Sequence, residues 1–414
     1  MLNERLMEEV LSRENLRSAY RAVIRNKGAP GVDGQTVEAV GPHLKVHWPG
    51  IEAKLYAGEY QPALVKGVRI PKPTGGERLL GIPTVQDRII QQAVQQRLSL
   101  IFEPQFSEHS YGFRPGRSAL DAVRAAQAYV REGKSWVVDI DISAFFDHVN
   151  HDILMERLAR TVRDKRVLKL IGRYLRAGMR VDGQVMKRQS GTPQGGPLSP
   201  LLANIYLDAL DKELESRELS FCRYADDVNI YVSSERSAER VLESISAWIN
   251  KHLKLKVNPD KSGSGPPGNR KFLGFSIQED GSLHIAESSL ERYKDQVRTC
   301  WRACQGLTGK ELVLRWQRYI RGWSNYFGIA ETRMTGLSGW TRRHMRKFFW
   351  LRWHNRKGRL RHLTRLGVSR RLCGRVDFSA GAWRAARHPA MHTALSNETL
   401  RRQGLWTPSD FAVA

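Results

Sequence analysis

Phe221-Cys222-Arg223-Tyr224-Ala225-Asp226-Asp227-Val228-Asn229-Ile230-Tyr231-Val232 decides the reading of this chain. Apolar-rich flanks on either side of two adjacent acids predict a strand, a sharp turn and a second strand, with Asp226 and Asp227 at the tip. Like charges held side by side are unfavourable unless a cation neutralises them. Paired divalent ions are the usual occupants of such a site in polymerases and nucleases. The pair therefore points to making or breaking phosphodiester bonds, and alone it leaves nuclease, cyclase and polymerase open.

Holding two metals takes a third carboxylate from another strand. Asp141 ends the strand-like run Trp136-Val137-Val138-Asp139-Ile140-Asp141. Pairing that run with the hairpin would set Asp141 beside Asp226 and Asp227. Taken alone, Asp141 also fits a cap ahead of Ala144-Phe145-Phe146. Asp139, on the same face at period two, and Asp147 compete with it. The loop Gly191-Thr192-Pro193-Gln194-Gly195-Gly196-Pro197-Leu198-Ser199-Pro200 is the next element. Its glycines permit close backbone approach to a ligand, its prolines stiffen it, and the helix N-terminus that follows can attract phosphate.

Composition agrees with a polyanionic partner. The 414 residues carry 67 Lys+Arg against 42 Asp+Glu, a formal charge of +25, enough chain for two or three domains. No apolar run approaches the roughly 20 residues of a spanning helix, so no membrane is expected. The start, Met1 to Glu9, reads as an acidic helix and not a signal peptide. Cys222, Cys300, Cys304 and Cys373 form no CxxC pair and read as inert or buried thiols of a reducing cytoplasm.

Along the chain, helices are predicted over 1–30, 85–103, 118–131 (with Ser118 as cap), 150–178, 199–216 and 236–252. A hairpin is predicted from Val65 to Pro83, and short strands near 255–258 and 270–278. Gly263-Ser264-Gly265-Pro266-Pro267-Gly268 reads as a loop between strands. Helices and strands alternate without βαβ regularity, which makes the fold α+β with a mainly antiparallel central sheet. Beyond about 285 the chain turns helical, Arg-rich and Trp-rich. Thr341 to Arg375 holds thirteen Lys/Arg and no acid, interleaved with Phe348, Phe349, Trp350 and Trp353. Such a stretch can neutralise phosphates and stack on bases, although a solvated face with inward-packed aromatics explains it too. His344, His354 and His362 lack carboxylate neighbours and read as surface or stacking residues.

Several blocks stand in order: Asn26-Lys27-Gly28…Gly31-Val32-Asp33-Gly34, Ile70-Pro71-Lys72…Arg78…Gly81-Ile82-Pro83, Ser110-Tyr111-Gly112-Phe113-Arg114-Pro115-Gly116-Arg117, Asp141-Ile142…Phe146-Asp147, Gly191-Thr192-Pro193-Gln194-Gly195-Gly196, Tyr224-Ala225-Asp226-Asp227, Asn258…Lys261-Ser262, Phe272-Leu273-Gly274-Phe275 and Arg321-Gly322-Trp323-Ser324-Asn325-Tyr326-Phe327. Together they resemble the reverse transcriptases of the bacterial group II intron type, over about residues 15 to 405. The resemblance implies a right-hand polymerase. Residues 1–284 would be fingers and palm with an N-terminal extension to about 60, 285–365 a helical thumb or maturase domain, and 366–414 a basic segment that binds DNA or RNA.

The same resemblance implies site roles. Asp141, Asp226 and Asp227 match the metal-binding triad, with the Ile142 carbonyl as a further ligand. Two Mg²⁺ ions, replaceable by Mn²⁺, would activate the primer 3′-hydroxyl and neutralise the triphosphate. Lys72 and Arg78 correspond to the clamp on the incoming dNTP, though solvated hairpin cations would look alike. Phe145 corresponds to the gate against a ribose 2′-hydroxyl; with Phe146 adjacent, one of the two must be core. Gln194 would touch the nascent pair or the nucleotide sugar, and Lys261 would protonate the leaving group. Leu273 and Gly274 would grip the primer, and Arg114 and Arg117 the template backbone.

No paired Cys/His cluster of an HNH endonuclease occurs, so the compact, class C-like form is implied, without second-strand cleavage. The implied partners are intron RNA, an RNA template with a DNA primer, target DNA, dNTPs and a second copy of the chain. The implied place is the bacterial cytoplasm, at the nucleoid when acting on DNA. A domesticated reverse transcriptase of phage defence, CRISPR adaptation or DNA repair has the same motifs. A splicing-only RNA-binding protein would not need the three acids.

Overall fold

The computed structural model describes residues 4–71 and 75–411. Its strands are β1 (Val65–Pro71), β2 (Glu77–Ile82), β3 (Trp136–Asp141), β4 (Met179–Val181), β5 (Gln184–Met186), β6 (Ser220–Tyr224), β7 (Asp227–Val232), β8 (Gly263–Gly265), β9 (Lys271–Phe272), β10 (Phe275–Ile277) and β11 (Leu283–Ile285). The chain divides into two compact units, one ending at Pro266 and the other starting at Pro267.

In the first unit the expected hairpin pairs β1 with β2, Gly67 opposite Gly81. It belongs to a sheet of order β2-β1-β4-β5. The second sheet has the order β6-β7-β3-β8 and is antiparallel throughout. Helices Ala119–Arg131 and Glu235–Trp248 pack against it. Local signals place these helices. Ser118 caps the first in a capping box with Asp121, Ser234 caps the second, and Thr84 caps Val85–Phe102. Apolar residues of β3, β6 and β7 (Val138, Ile140, Phe221, Val228, Ile230) join Leu201, Ile205, Leu207 and Leu210 of the Ser199–Ser216 helix in one buried core.

Two local expectations change, and two elements were not foreseen. The glycine-rich stretch is no loop over Gly263–Gly265, which pairs with β3 as Val137↔Gly265 and Asp139↔Gly263. It ends where Pro266 and Pro267 supply no N–H to the ladder. The strand expected near 255–258 shrinks to one bridge, Ile142↔Val257. A helix at Val40–Tyr56 and the β4–β5 hairpin carry no strong sequence signal.

The second unit combines the sheet β11-β10-β9 with helices Glu287–Ala303, Gly309–Phe327 and Met334–Arg352 and shorter helices after them. Trp301, Trp316, Met345, Phe348, Trp350 and Leu363 form its core. Trp350 is 1% exposed, and Phe348 and Trp353 are buried too. Those three aromatics hold the fold together and cannot stack on bases; Phe349 is partly buried. His362 lies flat on Trp353, and His344 lies between Trp340 and Trp383. All four cysteines are free and buried.

Candidate active site

The two acid-bearing segments meet as the strand pattern predicts. In the β3–β7 ladder Asp141 stands directly opposite Asp227. In the β6–β7 ladder Asp227 stands opposite Tyr224, so Ala225 and Asp226 alone make the turn. Ala225 takes a left-handed conformation, φ 58°, unusual for a residue with a side chain. Two contacts hold it there. A Cβ on Gly112 would lie 2.3 Å from the Ala225 nitrogen, so only glycine lets the Ser110–Arg117 loop back onto the turn. The fully buried Arg223 guanidinium donates to the Ala225 carbonyl at 3.0 Å.

Arg223 is the main functional residue that the motif reading missed. Its Nε donates to Asp211 Oδ1 at 2.6 Å, its Nη1 to Asn204 Oδ1 at 3.1 Å and its Nη2 to Ser110 Oγ at 2.7 Å. Asn204 in turn donates to the Gly112 carbonyl at 2.9 Å. One buried ion pair thus ties the Ser199–Ser216 helix, the 110–117 loop and the acidic turn together. The signal in the sequence was a lone Arg in an otherwise inward-facing strand, which has to find a buried acid.

Asp141 is held from the other side. Its N–H donates to Ser262 Oγ at 2.9 Å, and its carbonyl accepts from the Asn258 N–H at 2.8 Å. The Asn258…Lys261-Ser262 block therefore positions the backbone of Asp141. The exposed Lys261 ammonium is 3.8 Å from Asp141 Oδ2. Ile142 is buried and bridges to Val257. Burial pushes the Asp226 carboxyl above its usual range and the charge of Asp141 pushes it further, while Arg78 and Arg223 pull it down. Arg78, exposed on β2, therefore shares an electrostatic neighbourhood with the triad. Lys72 lies outside the described residues.

Among the described residues, no group of three His, Cys, Asp or Glu side chains converges closely enough, as placed, to hold an ion. The donor set nevertheless suits a hard divalent cation. Three carboxylates share one end of two adjacent strands, the charge of Asp141 registers at Asp226, and a lysine charge sits against Asp141.

The glycine-rich loop is anchored to both neighbouring elements. The Gly81 N–H donates to the Gln194 carbonyl at 2.8 Å, and the Thr192 N–H donates to the Phe146 carbonyl at 2.7 Å. Gly191, φ 82°, packs on the Phe146 and Asp147 carbonyls with no room for a Cβ. Gln194, Phe146, Phe113 and Arg88 line a cavity of about 500 Å³, a size that suits a nucleotide.

Two expected contacts are overturned. Phe145 is 1% exposed and packs on Tyr206 and Phe146, so it cannot touch a nucleotide. Left-handed Ala144 (φ 44°) precedes it, and it is the partly exposed Phe146 that lines the cavity. Arg114 is equally enclosed. It pairs with Glu103 at 2.7 Å and donates to the Ser107 and Ser110 carbonyls, which leaves it no reach to a template. Arg117 is half-buried over Tyr111 and donates to the Glu108 carbonyl. Leu273 and Gly274 form a left-handed turn in the second unit, where Tyr326 donates to the Leu273 carbonyl at 2.8 Å.

A strand-turn-strand bearing two acids, a third acid opposite and a glycine-rich loop beside a nucleotide-sized cavity define the palm of a template-directed nucleic-acid polymerase. The family model "Reverse transcriptase (RNA-dependent DNA polymerase)" matches residues 70–277, and "Group II intron, maturase-specific domain" matches 290–367. Protein YkfC of Escherichia coli (strain K12) is 33% identical over 299 residues, covering 63% of this chain and 78% of that protein. The group II intron-encoded protein LtrA of Lactococcus lactis subsp. cremoris is 38% identical over 342 residues, covering 65% of this chain and 56% of LtrA. The chain thus spans little more than half the length of LtrA. A solved partial Cas6-RT-Cas1–Cas2 complex matches 59% of this chain and 42% of that chain at 24% identity, with a TM-score of 0.38. The chain belongs to the reverse transcriptase family, among the group II intron reverse transcriptase/maturases. That family uses divalent metal ions, and its partners are RNA and other nucleic acids. No helix among the described residues is long and apolar enough to cross a membrane.

Proposed function

We propose that the protein copies its parent intron RNA into cDNA and, as a maturase, binds that RNA to promote its splicing and later retrohoming. The observation that carries the polymerase half is the register that sets Asp141 opposite Asp227, with Asp226 on the turn that Arg223 and Gly112 hold.

On this reading Asp141, Asp226 and Asp227 hold Mg²⁺, with Mn²⁺ able to substitute. When bound, the metal lowers the pKa of the primer 3′-hydroxyl and offsets triphosphate charge. Arg78 binds the triphosphate together with Lys72. Lys261 exchanges its contact with Asp141 for the phosphates and can deliver a proton to the leaving pyrophosphate. Phe146, and not Phe145, excludes the ribose 2′-hydroxyl by contact, and Gln194 orients the nucleotide sugar. Leu273 and Gly274 contact the primer, and Arg117 the template backbone. Segment 285–365 serves as thumb and maturase domain and 366–414 as a nucleic-acid-binding segment. Target DNA, a second copy of the chain and a cytoplasmic location complete the reading.

Purified protein given a primed RNA template, dNTPs and Mg²⁺ should extend the primer. Absence of Mg²⁺-dependent incorporation would sink the polymerase reading. Sequencing of RNA that copurifies with the protein tests the maturase half: enrichment of an intron that encodes this chain is expected.

A further inference from the structure

The Met334–Arg352 helix carries a feature that the polymerase site does not use. Gly336, Gly339, Arg343 and Arg346 fall at three- and four-residue spacing, so they share one face. A Cβ added to either glycine would meet nothing within 4 Å, so that face is bare backbone beside open space. His392 and Asn397, from the two short helices Pro389–Ala394 and Asn397–Arg402, close the other side. The notch between them measures about 360 Å³.

Its charge is one-sided. Arg346 is 4% exposed, and its guanidinium donates to the Leu395 carbonyl and to Asn397 Oδ1, both at 3.0 Å. Arg342 donates to Thr407 Oγ1 and Ser409 Oγ. Arg343 lies over the Trp383 ring. Every one of these partners is neutral. Three other arginines of the same unit take acids: Arg298 takes Asp295, Arg401 takes Asp410 and Arg402 takes Glu398. In the notch, burial and the like charges of Arg342 and Arg343 push Arg346 down to about 10. Burial, then Arg346 and Arg343, push His392 down as well. The carboxylate of Asp410 reaches this cluster through Thr407, whose hydroxyl donates to it, and none of the three guanidinium groups pairs with an acid directly among the described residues. Such a concentration of positive charge is stabilised by an anion with several acceptor oxygens, which guanidinium groups grip in pairs.

We infer that this notch seats a backbone phosphodiester of bound nucleic acid, the Gly336/Gly339 face letting the strand approach the helix and Arg342, Arg343 and Arg346 supplying the counter-charge. The inference rests on the reading of the chain as an RNA-binding protein. Two sources share this chemistry, a single RNA strand and the RNA–DNA duplex of a copied template.

The test uses the full chain and two fluorescein-labelled probes, a single-stranded RNA oligonucleotide and an RNA–DNA duplex, titrated across a KCl series. Gly339→Glu puts a carboxylate into the notch, and it replaces a mid-helix glycine by a better helix former, so folding is favoured. Arg343→Gln removes one wall cation. Gly50→Glu, also at an open helical position, makes the same charge change in the other unit. For one probe or both, Gly339→Glu should weaken binding by about tenfold and make the slope of log K against log salt shallower by roughly one. Arg343→Gln should act in the same direction, and the responding probe identifies the source. If Gly339→Glu and Gly50→Glu bind both probes alike, the notch proposal is overturned while the RNA-binding reading stands. If the wild-type protein binds neither probe, both fall.

Discussion

Asp141 and Asp227 face one another as directly opposed residues of the β3–β7 ladder, and Asp226 occupies the turn beside them. Antiparallel pairing brings opposed Cβ atoms to about 5 Å, so two carboxylates there repel unless a cation lies between or beside them. Removing one of the three acids should abolish chemistry and leave the basic surfaces intact. Asp226→Ala should cut dNTP incorporation by roughly a thousandfold or more, with RNA affinity unchanged within about twofold. Primer extension and anisotropy on one preparation check it. Equal loss of both would mean that the turn serves RNA binding instead.

On the proposed reading Phe145 packs the core and Phe146 contacts the nucleotide. Phe146→Ala should raise ribonucleotide incorporation relative to deoxyribonucleotide, by about tenfold or more in the kcat/KM ratio, with the fold intact. Phe145→Ala empties a core position and should cost about 3–5 kcal/mol in denaturant unfolding without that change in selectivity. If Phe146→Ala leaves the ratio unchanged, another residue of the Gln194 cavity is the gate.

Gly112 sets the height of the acidic turn. Gly112→Ala would place a Cβ 2.3 Å from the Ala225 nitrogen, so the turn has to shift. A displacement near 1 Å at a reacting centre can cost about a hundredfold in rate. The expected result is a kcat reduced by ten- to a hundredfold, with RNA affinity preserved. Unchanged kcat would show that the turn tolerates the shift.

How much was legible follows from the range of each interaction. The Asp141–Asp227 pairing could be foreseen because period-two strands fix which faces meet. The cap at Ser118 could be read because a cap and its helix are neighbours in sequence. The choice between Phe145 and Phe146 could not, since it hangs on the left-handed backbone at Ala144, which the packing around it imposes. Arg114 read as a template contact because its partner Glu103 lies eleven residues away, with no periodic relation to it. The aromatics of 341–375 looked available for bases because the pattern of one helix does not say which residues its neighbours cover.

The Arg223–Asp211 pair is wholly buried, and substitution can separate its part in stability from its part in holding the acidic turn. Asp211→Ala leaves a buried guanidinium unpaired and should cost about 3–5 kcal/mol. The double replacement Arg223→Met/Asp211→Leu removes both charges and should recover most of that stability, since buried pairs often exchange for apolar ones at little cost. It cannot restore the donor to the Ala225 carbonyl, so kcat should stay low and half-saturation with Mg²⁺ should need a higher concentration. A double variant that regains wild-type kcat and Mg²⁺ dependence would make the pair purely structural.

Asp208, on the Ser199–Ser216 helix behind that pair, gives the chain a pH-dependent weakness. Burial, then the charge of Asp211, raises its carboxyl to about 6, and its Oδ1 has no hydrogen-bond partner among the described residues. A carboxyl whose folded pKa lies above its unfolded value favours folding when protonated. The stability it lends is complete below the ordinary aspartate range near 3.8 and is lost as pH rises through about 6. Asp208→Asn should therefore raise stability above pH 7 by on the order of 1–2 kcal/mol, allowing for the side chain's partial contact with solvent. Near pH 4 it should change little. Urea unfolding midpoints for both proteins across this range provide the measurement. A gain from Asn that is the same at low and high pH would show that volume or hydrogen bonding, and not the buried charge, sets the effect.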